Sequence, residues 1–232
     1  MNIIAFDASS QVLSVALASG GGVWYTEIDA ESRHSELIME CADWLCGSAG
    51  IAPAELSLVS CMKGPGSFTG LRIGFAAAKG LALALAIPLA AVPTLDCLAY
   101  PFSFWPGIVI PAIDAKKNSF FAALYRKGKR LTGDMDAPAE TIAKAALASA
   151  RGPDGSLPPS EPLLLTGQGA ELLGECLAPY ITPEFVNIDK GFNRGKAREL
   201  LDIVKNTKMA AGDDLDTGPV YLRKSDAELN LK

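Results

Sequence analysis

Apolar residues open the chain in short bursts, "NIIAFDASS", "VLSVALAS" and "GGVWYTEID", separated by Ser- and Gly-containing turns. Apolar runs of strand length between such turns predict a three-stranded meander. Through "SRHSELIMECADWLCG" the spacing becomes helical, with Leu37, Cys41, Trp44 and Leu45 in phase and Gly47 as the expected C-terminal cap. "LSLVSCM" then predicts a buried strand, "TGLRIGFAAAKGLALALA" a helix, and "LAAV" another strand ahead of "TLDCLAY". That order belongs to a layered α/β domain.

At residue 108 the pattern restarts: "IVIPAIDAKKNSFFAALYRKGK" repeats the layout of "NIIAFDASSQVLSVALASGG", with Asp114-Ala115 standing where Asp7-Ala8 stood. An internal duplication is expected. The Pro- and Gly-bearing "YPFSFWPG" suits a linker. The lobes are placed at 1–103 and 104–232, with the C-terminal tail able to return to the first. Later come a flexible "ARGPDGSLPPSEP", a strand, glycine turn and helix in "LLLTGQGAELLGECL", and an amphipathic helix in "GKARELLDIVKNTK".

Composition narrows the function classes. With 232 residues and 49% hydrophobic content the chain buries a sizeable core, and a net charge of −5 gives no chain-wide footprint for nucleic acid. The start lacks a basic leader, and the longest apolar run, residues 73–92, is broken by Lys79 and Pro88, so neither a signal peptide nor a membrane span is expected. Five scattered cysteines without CxxC spacing suit reduced thiols and a cytoplasmic location.

The densest candidate for chemistry is "GPGSFTGLRIG", residues 64–74. Gly70 is followed by Leu71 and Arg72 rather than Lys and Ser or Thr, which excludes a P-loop. Ser67 is flanked two positions away by Pro65 and Thr69, which excludes a nucleophile elbow. His34, the sole histidine, excludes a site with two imidazole ligands, leaves a Ser-His-Asp arrangement one narrow opening, and reads as a partly exposed polar residue at a helix start. Gly64, Pro65, Gly66, Ser67, Thr69 and Gly70 therefore read as a structural loop whose glycines allow unusual angles and close approach, with Thr69 capping the next helix. Asp7 and Asp114, each ending a strand before a polar turn, are either turn formers or holders of a cation beside phosphate.

Two halves opened by strand, Asp and hairpin resemble the superfamily of sugar kinases, heat-shock ATPases and actin, with ribonuclease H-like lobes. That resemblance implies a vestigial or weak nucleotide site at Asp7, Ser9, Ser10, Asp114, Gly167 and Gly169. More specifically, "GPGSFTGLRIGFAAAKGLA" with "AFDASS", "SRHSE", "IDAKKNSFFAALY" and "PVYLR" closely resembles the bacterial TsaB (YeaZ) family, over residues 3–223. The resemblance implies a role in making threonylcarbamoyladenosine in tRNA, beside the catalytic relative TsaD and the P-loop ATPase TsaE. TsaD holds its metal with two histidines four apart; the matching positions here are Thr94 and Leu98. The expectation is a non-catalytic scaffold with no resident metal, meeting ATP or ADP and tRNA only through the complex. A stand-alone ATPase or kinase is the alternative.

Partner contacts are expected on two helices, as the resemblance implies. The first offers His34, Leu37, Ile38, Cys41, Trp44 and Leu45; the second offers Arg72, Ile73, Ala76, Ala77, Gly80, Leu81 and Ala84, whose small residues admit a close helix. Without TsaD the same patch is expected to pair two copies of the chain.

Overall fold

A computed structural model describes residues 1–150, 161–191, 194–207 and 214–223; most of the stretch expected to be flexible lies outside them. Backbone contacts divide the chain into two compact units, Met1–Cys97 with Arg194–Tyr221 and Leu98–Asn193 with Leu222–Lys232.

The first unit opens with the expected meander, β1 (Ile3–Asp7), β2 (Val12–Ser19) and β3 (Gly22–Asp29). Helix α1 (His34–Ala49), β4 (Leu58–Met62), α2 (Phe68–Leu85) and β5 (Leu89–Val92) follow, and α3 (Thr94–Ala99) leads out of the unit. The sheet order is β3-β2-β1-β4-β5, with β1, β4 and β5 parallel and the meander antiparallel. All five residues of β1 are buried, as a central strand covered on both faces requires. Ile4 and Phe6 join α1 and α2 in one core with Ile38, Leu45, Phe75, Ala78 and Ala82.

Helix α1 runs past Gly47, the expected cap, to Ala49, because Gly50 supplies the left-handed turn at φ 70° and its amide reaches the carbonyls of Cys46 and Gly47. By length and composition α2 is able to cross a membrane. Leu71, Phe75, Ala78 and Ala82 form one buried stripe in the unit's interior, as in a helix packed by one face on a sheet.

The second unit repeats this plan. Its elements are β6 (Ile108–Asp114), β7 (Phe120–Ala122), the short pair β8 (Tyr125–Arg126) and β9 (Lys129–Arg130), and β10 (Met135–Ala137). Then come α4 (Ala139–Ala150), β11 (Leu163–Thr166), α5 (Ala170–Leu177) and β12 (Val186–Ile188). The order β10-β7-β6-β11-β12, with β6, β11 and β12 parallel, matches the first sheet strand for strand. The α/β class with two duplicated lobes, read from the sequence, is the one found.

Helix α6 (Ala197–Asn206) belongs to the first unit, against β1, β2 and β4. Polar contacts fix the segment before it. Arg194 pairs with Glu27 at 2.9 Å, and the Tyr25 hydroxyl lies 2.6 Å from Glu27 Oε2 and 3.1 Å from the Gly195 carbonyl. Burial, reinforced by the Glu27 carboxylate, pushes the Tyr25 phenol well above its ordinary value of 10.0. The folded chain thus holds this proton more tightly than the unfolded chain, and the stability so gained is complete below pH 10 and lost as pH rises past it. Urea melts at pH 8 and 10.5 are expected to show an alkaline loss in wild type. Tyr25→Phe should remove that component while costing about 1 kcal/mol at pH 8 for the lost hydrogen bond.

Candidate functional site

The loop 63–67 joins β4 to α2 and presses on the end of β1. Ser67 donates its amide to the Ser9 carbonyl at 2.8 Å, and the Gly64 carbonyl accepts from the Thr94 amide at 2.9 Å. The glycines serve different needs. Gly64 sits at φ +107°, where only glycine is relaxed. Gly66 and Gly70 lie so close to the β1–β2 turn that a Cβ would meet the Ser9 oxygen at 2.7 Å and the Ala8 oxygen at 1.9 Å, respectively. The helix cap is Ser67 rather than Thr69, since α2 begins at Phe68 and the Ser67 hydroxyl reaches the Gly70 amide at 3.2 Å.

Both strand-end aspartates are occupied by their own chain. Asp7, 2% exposed, accepts from the Ser9 amide and hydroxyl at 2.9 and 2.6 Å through Oδ1, and from the Lys196 amide at 2.8 Å through Oδ2. Lys196 is itself buried, and burial raises the neighbouring Glu199 carboxyl against the pull of the Lys196 ammonium. Ser10 closes a local turn with Val12. Asp114 takes the Lys116 amide and ammonium, both at 2.7 Å, and that ammonium holds its carboxyl below the usual range. Gly167 and Gly169 make a tight strand-to-helix turn packed on β6, with the Gly169 amide on the Ala112 carbonyl at 2.9 Å.

The positions that the resemblance sets against TsaD's metal histidines do not fit a metal. Thr94 and Leu98 are both buried, and neither carries an imidazole or a carboxylate. Among the described residues no three His, Cys, Asp or Glu side chains gather as a ligand set.

The two helices expected to meet a partner divide sharply. His34, Ile38, Cys41 and Leu45 face the interior, because helical phase turns them onto the sheet; His34 is 5% exposed rather than partly exposed, with Nε2 2.9 Å from the Ser10 carbonyl. Leu37, Ile73, Ala77 and Leu81 are half-buried at the seam. Trp44, Arg72, Ala76, Gly80 and Ala84 are exposed, joined by Met39 and Leu83. Arg72 lies 3.8 Å over the Phe68 ring and donates to the Tyr221 hydroxyl at 3.0 Å, an aromatic cluster that sequence spacing missed because its members are 149 positions apart.

All five cysteines are free, and only Cys176 is exposed. Burial raises the Cys61 and Cys97 thiols far above their ordinary range. A chromogenic disulfide reagent should therefore titrate one thiol per native chain rapidly and five in denaturant. A second fast thiol would mean that the packing around one of the four buried cysteines opens.

The family model of TsaD, tRNA N6-adenosine threonylcarbamoyltransferase, matches residues 11–176. The tRNA threonylcarbamoyladenosine biosynthesis protein TsaB of Bacillus subtilis is 36% identical over 127 residues, 54% of this chain and 56% of that one. TsaB of Escherichia coli is 32% identical over 129 residues, 55% and 56% of the two chains. The chain thus spans about half the length of the curated relatives it matches. The fold of YeaZ from Pseudomonas aeruginosa superposes with a TM-score of 0.75 at 24% identity, over 95% of this chain and 99% of that one.

Proposed function

The chain belongs to the TsaD family and, within it, to TsaB/YeaZ, and from that premise we propose that it is a non-catalytic subunit for making threonylcarbamoyladenosine in tRNA, binding and stabilising TsaD. The observation that carries this reading is the occupation of Asp7 and Asp114 by the chain's own donors. Asp7, which caps its own turn and anchors a returning segment, has little capacity left for a cation beside phosphate, and Asp114 is neutralised by the Lys116 ammonium. Thr94 and Leu98 point the same way, since neither can hold TsaD's metal.

The surface offered to TsaD is the exposed part of α1 and α2: Trp44, Arg72, Ala76, Gly80 and Ala84, with Leu83 and Met39 beside them. Large side chains and an arginine beside exposed small residues have the composition of an interface hot spot. The same surface pairs two copies when TsaD is absent. TsaE joins the assembly, and tRNA and ATP or ADP are met there rather than by the isolated chain, whose net charge of −5 offers no broad phosphate footprint.

An ATP hydrolysis assay on the isolated chain tests the reading against a stand-alone ATPase or kinase. No turnover above buffer is expected. Hydrolysis that Asp114→Asn abolishes while the fold persists would replace the scaffold with an enzyme.

A further inference from the structure

The tail segment 214–221 has no part in the partner reading, yet it returns to the first unit and ends on the surface of α2. The Asp214 amide donates to the Leu89 carbonyl at 2.8 Å and its Oδ2 accepts from the Ala91 amide at 2.8 Å, which covers the outer edge of β5. The Val220 amide then donates to the Lys63 carbonyl at 2.6 Å and delivers Tyr221 to the start of α2. There the Tyr221 ring lies 4.7 Å from that of Phe68, and the Arg72 guanidinium lies 3.8 Å over Phe68 and 5.6 Å from Tyr221.

An exposed arginine ordinarily samples many rotamers, and ordering it opposes binding. Here two rings and one hydrogen bond fix it in the folded chain. Nε is spent on the Tyr221 hydroxyl, while Nη1 and Nη2 have no partner among the described residues and no carboxylate there pairs with them. What remains at the surface is a planar pair of nitrogens, the shape that takes a carboxylate by two parallel hydrogen bonds. The carboxylate stands on the same face of the molecule. Helix α1 packs beside α2 and carries Glu40 and Asp43, both exposed and neither in an ion pair among the described residues, whereas Glu36 is held by Arg33. A basic fork on one helix and unpaired acids on the next make a surface complementary to itself through a two-fold axis that sets each α1 against the other copy's α2. The same acids repel a polyanion, so a nucleic-acid phosphate is the poorer fit.

We propose that Phe68 and Tyr221 hold Arg72 as a preformed carboxylate receptor, filled in the self-paired form by the α1 acids, Glu40 and Asp43, of a second copy. This inference rests on the self-pairing of the α1 and α2 surface proposed above.

Sedimentation equilibrium of the full chain tests it. Wild type should dimerise reversibly, and more weakly as salt rises. Arg72→Glu should weaken pairing by about tenfold or more, and Glu40→Lys with Asp43→Lys should do the same. All three substitutions in one chain should recover most of the loss, which a packing fault at either helix would not do. Tyr221→Phe keeps the ring and releases Nε, so a smaller loss of about threefold is expected with an unchanged melt. Ala84→Glu separates the two possible failures. If it dissociates the pair while Arg72→Glu does not, the receptor is overturned and the surface stands; if wild type is monomeric up to about 0.5 mM, self-pairing and the receptor fall together. The receptor is also overturned if the triple variant stays as weak as its parents, or if unmodified tRNA binds the wild-type chain and not Arg72→Glu, which would give the fork to phosphate.

Discussion

Gly70→Ala is expected to unfold the first unit at temperatures where the wild-type chain is native. The added Cβ would lie 1.9 Å from the Ala8 oxygen, about half an ordinary contact distance, and that atom is backbone one residue past the end of central strand β1. Relief requires the loop to leave the β1–β2 turn, which breaks the bond from the Ser67 amide to the Ser9 carbonyl and unpacks the start of α2. The cost lies at or beyond the upper end of about 1–3 kcal/mol typical of overpacking, a fall in Tm of about 6–12 °C or more. Gly66→Val should behave alike, its Cβ meeting the Ser9 oxygen at 2.7 Å, whereas Ser67→Ala loses only a cap, about 1 kcal/mol. Gly80→Ala is the opposite control: nothing lies within 4 Å of its Cβ, and alanine within a helix gains about 0.5–1 kcal/mol. Thermal melts followed by circular dichroism check all four. A Gly70→Ala melt matching wild type would show that the loop and the strand end do not meet as described.

Ala84→Glu should abolish capture of TsaD without changing the melt. Ala84 is exposed on α2 beside Leu83, so the folded chain tolerates the carboxylate. Buried in an interface without a partner, the same carboxylate costs several kcal/mol, or about a hundredfold or more in affinity. Light scattering of the variant alone should also show loss of the self-paired species. Cys41 would make a poor probe, since it is buried in the unit's own core. A variant that folds, self-associates and still captures TsaD would move the interface away from α2.

Much of the fold was legible because its signals are local. The meander, α1, β4, α2 and β5 follow from apolar period and turn residues within a few positions, and the repeat of Asp7-Ala8 as Asp114-Ala115 announced the second sheet. Helix α4 is hard to see in the sequence although Ala139, Ile142, Ala143, Ala146 and Ala150 keep helical spacing, because alanine gives a faint apolar contrast. Features made by distant segments were not legible. Nothing near Lys196 shows that its amide will cap Asp7, 189 positions away. The same holds for the interface: sequence phase marked both helices as apolar but could not tell which stripe of α1 the sheet would claim. His34, Ile38, Cys41 and Leu45 went inward, and Trp44 was left outside.

The central claim is that the chain assists catalysis without performing it, and reconstitution of threonylcarbamoyl transfer to tRNA tests it most directly. Purified chain, TsaD and TsaE of one organism would be assayed singly and together with tRNA, ATP and the threonylcarbamoyl donor. The account predicts modified tRNA only when TsaD and this chain are both present, with loss of product for the Ala84→Glu chain and retention for Asp114→Asn. Product formed by this chain without TsaD, or full product from TsaD and TsaE in its absence, would contradict it.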